Sequence, residues 1–189
     1  MQIILVRHGA TDWNLQGRCQ GSSDRNLSDV GIRQAEQIAE RLSDEGVVAV
    51  YSSGLQRARQ TAERISRPHN LPVLIEDAVR ELDHGELEGL TFNEIKSTYG
   101  DFLVRWRSEP AEICVPGGER LADVAERAWN GLNQIVRRHV EAERIVIVSH
   151  AGHVLVSSDD GATFVPCKLE RPVPAAAVIG ADAGLLVVA

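Results

Sequence analysis

Four short apolar runs punctuate the chain: Ile3-Ile4-Leu5-Val6, Val47-Val48-Ala49-Val50-Tyr51, Val73-Leu74-Ile75 and Ile145-Val146-Ile147-Val148. Runs this continuous and β-branched suit parallel strands covered on both faces, where no polar alternation is needed. Between them apolar residues recur at helical spacing. Ile32, Ala35, Ala39 and Leu42 follow the capping candidate Ser28 and stop before Gly46, and Leu55, Ala58, Ala62 and Ile65 run up to Pro68. Thr91 and Glu94 form a capping-box pair ahead of a short helix closed by Gly100. Leu121, Val124, Ala125, Ala128, Leu132, Ile135 and Val136 mark a long helix from Glu119. The stretch from Trp106 to Gly118 carries Pro110, Pro116 and two glycines and reads as a loop over a site. Strands alternating with helices predict an α/β fold of three layers, α/β/α, around a mostly parallel central sheet. Residues 1–153 read as one domain.

Composition narrows the class. At 189 residues, 43% hydrophobic and 25% charged, the chain suits a soluble domain with a sizeable core. A net charge of −7 argues against a nucleic-acid or anionic-membrane surface, so any bound anion must sit in a local basic pocket. Cys19, Cys114 and Cys167 are scattered and lack CxxC spacing, which suggests neither a disulfide framework nor a zinc site and fits a reducing compartment. No apolar stretch approaches a signal-peptide core or a membrane span, and a cytoplasmic location is expected.

The candidate chemistry lies where the strands end. The first run stops at Arg7-His8-Gly9 and the last at Ser149-His150-Ala151-Gly152, so parallel neighbours would bring both histidines to the carboxyl rim where open α/β sheets bind ligands. Arg57, after the second strand, and Glu81, after the third, would join them. Two guanidiniums match the fork geometry of a phosphate. With them, one neutral imidazole can attack while the other, protonated, shares the phosphoryl charge, and a rim carboxyl can protonate the leaving oxygen. Glu81 is the candidate acid, with Asp83, Glu86 and Glu88 as competitors. His84 is a candidate for the mouth, whereas His69 and His139 are expected to be solvated.

These residues resemble the histidine phosphatase superfamily, the phosphoglycerate mutase-like proteins. Arg7-His8-Gly9-Ala10-Thr11-Asp12-Trp13-Asn14 is similar to the family's first motif, and Gln20-Gly21 to its phosphate-cradling loop. Ser52-Ser53-Gly54-Leu55-Gln56-Arg57-Ala58-Arg59-Gln60-Thr61 resembles the second motif, Arg80-Glu81-Leu82 with Gly85 and Gly89 the acid-bearing loop, and Pro116-Gly117-Gly118-Glu119 a loop-to-helix signature. Val148-Ser149-His150-Ala151-Gly152 resembles the second histidine motif. The resemblance implies a phosphohistidine at His8, proton donation by Glu81, and phosphate binding by Arg7, Arg57 and His150, helped by Asn14 and backbone groups at Gln20 and Gly21. It implies no metal and no cofactor, and a small phosphorylated metabolite as substrate. Leu82-Asp83-His84-Gly85 lacks the Tyr of the mutases, which favours a phosphatase over the alternative of a phosphoglycerate mutase.

After Gly152 the resemblance ends. Where the family continues into an apolar helix, residues 154–189 read as β-hairpins, one around Asp159-Asp160-Gly161 and one joined at Ala181-Asp182-Ala183-Gly184. The first matches the Asp-box pattern of propeller repeats, Ser-x-Asp-x-Gly-x-Thr before an aromatic. A natural variant, a fragment joined by rearrangement or frameshift, and a chance match remain open. The expectation is a tail packed on the same domain that leaves one sheet face uncovered, open to a second copy in a homodimer. His150 is then held less firmly than His8, and a disrupted site would leave an inactive phosphate-binding protein.

Overall fold

The computed structural model describes residues 2–139 and 144–150, with the backbone of residues 154–156, 165–167 and 177–180. In chain order the elements are β1 (Gln2–Arg7), α1 (Asp12–Leu15), α2 (Asp29–Leu42), β2 (Val47–Ser52), α3 (Gln56–Ser66), β3 (Val73–Ile75), α4 (Phe92–Thr98), α5 (Gly100–Ser108), α6 (Leu121–Arg138), β4 (Arg144–Ser149), β5 (Val154–Val156), β6 (Val165–Cys167) and β7 (Ala177–Gly180). The main sheet runs in the order β3-β2-β4-β1-β7, its first four strands parallel and β7 antiparallel on β1.

The strands lack polar alternation because helices cover both faces. Ile4, Val6, Val50, Val146 and Val148 pack with Ile38, Leu42, Ala58 and Ile65 of α2 and α3. The intervening positions Ile3, Ala49, Tyr51, Ile145 and Ile147 pack with Ile135 of α6, flanked by Leu132 and Val136. The three-layer α/β/α architecture expected from the sequence is the one observed. Truncating Ile135→Ala, a fully buried α6 side chain against the sheet, should cost about 2–5 kcal/mol as an uncollapsed cavity. A lower urea midpoint with an unchanged slope is the expected reading.

Three expectations need correction. Gly100 does not close a helix: α4 ends at Thr98, Tyr99 breaks the direction, and α5 starts at Gly100 and runs to Ser108. Phe102, Leu103 and Trp106 give α5 an apolar face on the satellite core of Leu82, Leu87, Ile95 and Val115. Trp106 to Ser108, expected to open the loop, are instead the last turn of α5, with Trp106 packed on that core. The sheet is also not uncovered where its central strand is described, because Ile145 to Val148 of β4 are 0–1% exposed.

In the tail, β5 pairs antiparallel with β6, Val154 opposite Cys167 and Val156 opposite Val165, as a separate two-stranded sheet. The expected turn at 157–164 and the join at 181–184 lie outside the described residues.

Candidate active site

Parallel pairing sets the site. Arg7 lies opposite Ser149 at the shared end of β1 and β4, and the His8 N–H extends the ladder to the Ser149 carbonyl at 3.0 Å. His8 and His150 therefore leave adjacent strands at one level, with ring centroids 5.1 Å apart and planes tilted by 55°. Next door, Ser52 ends β2 and Ser53 follows, its hydroxyl 2.6 Å from His150 Nε2.

The corner at His8 is pinned from two helices. The Gly9 N–H donates to Thr61 Oγ1 of α3 at 3.1 Å, and the Ala10 carbonyl accepts from the Ser28 N–H and hydroxyl at the start of α2. A Cβ on Gly9 would strike the Gly31 carbonyl, so this approach requires glycine. So held, His8 Nδ1–H donates to the Gly9 carbonyl at 2.7 Å, while Nε2 accepts from Arg57 Nε at 3.2 Å. Burial first, then Arg57 and Arg7, lower the His8 pKa to about 3, against the opposing Gly9 bond. The ring is neutral with its lone pair on Nε2, the form a nucleophile needs.

Arg57 is 0% exposed and held on all three nitrogens: besides the Nε contact to His8, Nη1 reaches the Ser23 carbonyl at 2.9 Å and Nη2 the Gly21 carbonyl at 2.7 Å. Gly21 thus contributes a carbonyl that holds Arg57, and its φ of +53° is one that favours glycine. Arg7 Nε is buried and without a partner among the described residues, as suits a donor for an oxyanion. The Thr11 hydroxyl donates to Gln20 Oε1 at 2.6 Å, and the Thr11 N–H donates to Asn14 Oδ1 at 3.0 Å in the capping box of α1. Both side-chain oxygens are committed, which leaves the amide NH2 groups of Asn14 and Gln20 as donors.

The second imidazole, His150, stands beside the first. Burial, then Arg57, His8, Arg7 and Arg127, push its imidazole well below the ordinary range, so the protein itself holds it neutral. A phosphate dianion is the partner that would reverse this. Nor is it loosely placed: it is 3% exposed against 6% for His8, and Ser53 tethers its ring.

Among the acids the geometry discriminates. Burial raises the Glu81 carboxyl above its ordinary value despite the Leu82 N–H at 3.0 Å and the charges of Arg57, Arg7 and Arg127. Asp83 Oδ1 accepts from the Gly85 N–H, Glu86 Oε2 accepts from the Tyr99 hydroxyl, and Glu88 is bonded to Ser22 and Ser23. Glu81 feels both site arginines, whereas the other three carboxylates are committed to these loop contacts.

A family model described as histidine phosphatase superfamily (branch 1) matches residues 3–157. The chain belongs to that superfamily. This histidine phosphatase is similar to phosphoserine phosphatase 1 of Hydrogenobacter thermophilus, 39% identical over 150 residues, which cover 79% of this chain and 71% of that one. It is 40% identical over 154 residues to the metal-independent phosphoserine phosphatase of Arabidopsis thaliana, covering 80% of this chain but only 64% of that relative. Among solved structures it superposes on the mycobacterial glucosyl-3-phosphoglycerate phosphatase in complex with VO3 at TM-score 0.74 and 32% identity, over 80% and 75% of the two chains. The named phosphatases among its relatives support a phosphomonoesterase.

Several supporting residues of this histidine phosphatase escaped the sequence reading. Arg127 of α6 donates to the carbonyls of Ala78, Arg80 and Glu81, each at 2.8 Å, and pairs with Glu119 at 3.0 Å. Glu119 in turn holds Arg80 and the Asp83 N–H, so one ion-pair network fixes the acid-bearing loop. The signal was available: Arg127 interrupts the apolar stripe of α6, and a charge there needs partners. His139, expected to be solvated, is half-buried against the Tyr51 hydroxyl at 2.9 Å. Among the described residues no helix is long and apolar enough to cross a membrane.

Proposed function

We propose that this chain hydrolyses phosphomonoesters of small metabolites through a phosphohistidine on His8 Nε2, without a metal ion or other cofactor. The observation that carries the reading is the tautomer fixed at His8, with Nδ1–H on the Gly9 carbonyl and the Nε2 lone pair beside Arg57. Nε2 attacks phosphorus, the P–O ester bond breaks, and the Glu81 proton passes to the leaving oxygen. Water then attacks the phosphohistidine, Glu81 takes its proton, the P–N bond breaks, and phosphate leaves. Arg7, Arg57, His150 and the amides of Asn14 and Gln20 hold the phosphoryl oxygens.

The names of the two curated relatives make phosphoserine the first substrate to try. Hydrolysis of phosphoserine and of an aryl phosphate is expected to persist undiminished in excess chelator. Loss on chelation with recovery on adding a divalent cation would overturn the mechanism, and isomerisation of monophosphoglycerate outpacing its hydrolysis would make the chain a mutase.

The tail is read as completing the same domain, because β7 adds to the main sheet beside β1. The free thiols of Cys19 and Cys114 fit a cytoplasmic location. For assembly, the open edge of the sheet at β3, with Leu74 38% and Ile75 49% exposed, is where a second copy would pair in a homodimer. No nucleic-acid or membrane partner is proposed.

A further inference from the structure

Glu88 has no part in the chemistry above, yet it joins the two loops that build the pocket. Its Oε1 accepts from the Ser22 N–H at 2.6 Å and from the His84 N–H at 3.3 Å, while Oε2 accepts from the Ser23 hydroxyl at 2.5 Å. The carboxylate is seated directly over Gly21, where an added Cβ would collide with it. The segment it grips also aims Arg57, since Ser23 is shared and the Ser22 N–H belongs to the same peptide unit as the Gly21 carbonyl. Gly21 and Ser23 offer their carbonyls to Nη2 and Nη1, and the third edge of the guanidinium, Nε, reaches His8 Nε2.

From this chain of contacts we infer that Glu88 is a positioning residue: it clamps segment 21–23 to the acid-bearing loop and thereby sets the plane of the Arg57 guanidinium against His8 and the phosphoryl group. The inference rests on the proposed phosphoryl site and adds to it the element that orients its central arginine.

Electrostatics alone would not place a carboxylate here. A negative charge this near a phosphate pocket opposes dianion binding, so a residue retained only for its charge would weaken the site. Charge-assisted bonds to two N–H groups and a hydroxyl are what the carboxylate supplies in return, and they are the stronger kind of hydrogen bond. Its charge has one further consequence: burial lowers the Arg57 pKa, and Glu88 opposes that shift.

The two roles predict opposite signs, which makes them separable. Glu88→Gln keeps an oxygen for the Ser22 N–H and an NH2 that can donate to Ser23 Oγ, while removing the charge. Glu88→Ala removes both. If Glu88 positions Arg57, the Ala variant loses about 10- to 100-fold in kcat/KM, the size expected of a misplacement on the order of 1 Å, and binds vanadate correspondingly more weakly. The Gln variant should stay within a few-fold of the parent and bind vanadate as tightly or more tightly. Tighter vanadate binding in both variants would overturn the clamp in favour of simple repulsion, and unchanged binding in both would overturn it outright.

Ser23→Ala offers a second route if Glu88→Ala folds poorly. It keeps the Ser23 carbonyl on Arg57 but removes one partner of Glu88, so it should lower kcat/KM and weaken vanadate binding in the same direction as Glu88→Ala, by a smaller factor. Unchanged or tighter vanadate binding in Ser23→Ala would sink the proposal. The parent protein, measured in parallel, separates this outcome from failure of the function itself: a parent that neither turns over an aryl phosphate nor binds vanadate overturns the phosphoryl site, whatever the variants do.

Discussion

Replacing His8 by alanine is expected to lower phosphomonoester turnover by on the order of 10⁴-fold or more, the scale on which loss of a covalent nucleophile is felt. Among the described residues nothing else in the pocket can take the role. His150 shares the strand-end level, but its Nε2 is engaged by the Ser53 hydroxyl at 2.6 Å. Binding should survive better than turnover, because Arg7, Arg57 and the two amides remain to hold an oxyanion. Vanadate affinity within roughly tenfold of the parent, with no acid-labile phosphoryl-enzyme on quenching, is the expected pair of observations. Turnover above about 1% of the parent would show that His8 is not the nucleophile.

The same substitution has a signature in stability. The folded His8 has a pKa of about 3 against an ordinary value of 6.5, so below pH 6.5 the unfolded chain takes up a proton that the folded one refuses. Folding is weakened progressively as pH falls from 6.5 toward about 3, and above 6.5 the penalty is absent. His8→Ala removes this contribution, and its melting temperature should fall less steeply than that of the parent across that window. The test discriminates because removal of a buried ring lowers stability at every pH, whereas the proton linkage changes only the slope.

The positions of the site residues were legible in the sequence to the extent that strands dictate them. Two doubly buried apolar runs ending in His8 and His150 could be read as parallel neighbours, and the register Arg7 opposite Ser149 brings them level. What the sequence did not carry was anything decided by distant contacts. Arg127 meets carbonyls 46 to 49 residues earlier in the chain, and Glu88 grips a loop 65 and 66 residues before it. The charge of His150 is of the same kind: burial and the arginines around it shift it, and no motif spells that out. The start of α5 was missed because Gly100 is a plausible helix stop on local grounds, and only the satellite core explains why the chain resumes a helix there.

Glu81→Gln should separate substrates by their leaving groups. Burial raises the Glu81 carboxyl above its ordinary value, which favours the protonated acid, and an amide has no such proton to supply. For alkyl esters such as phosphoserine, whose alkoxide must be protonated as it leaves, kcat/KM is expected to fall by about 10²- to 10⁴-fold. For an aryl phosphate the phenolate departs unaided, and kcat/KM should fall far less. The pH dependence follows the same logic. In the parent, kcat/KM for alkyl esters declines as pH rises through the raised Glu81 pKa, because the proton donor is lost, and that alkaline limb should disappear in the variant. Equal losses on both ester classes would instead make Glu81 a structural member of the loop that Arg127 and Glu119 fix. The second half of the cycle gives the sharper result. Water attack on the phosphohistidine needs Glu81 as base, so with an aryl phosphate the variant should form the covalent intermediate rapidly and resolve it slowly. A stoichiometric burst of phenolate followed by a slow steady state is then expected in Glu81→Gln, and none in His8→Ala, because only the former keeps the nucleophile while lacking the group that discharges it.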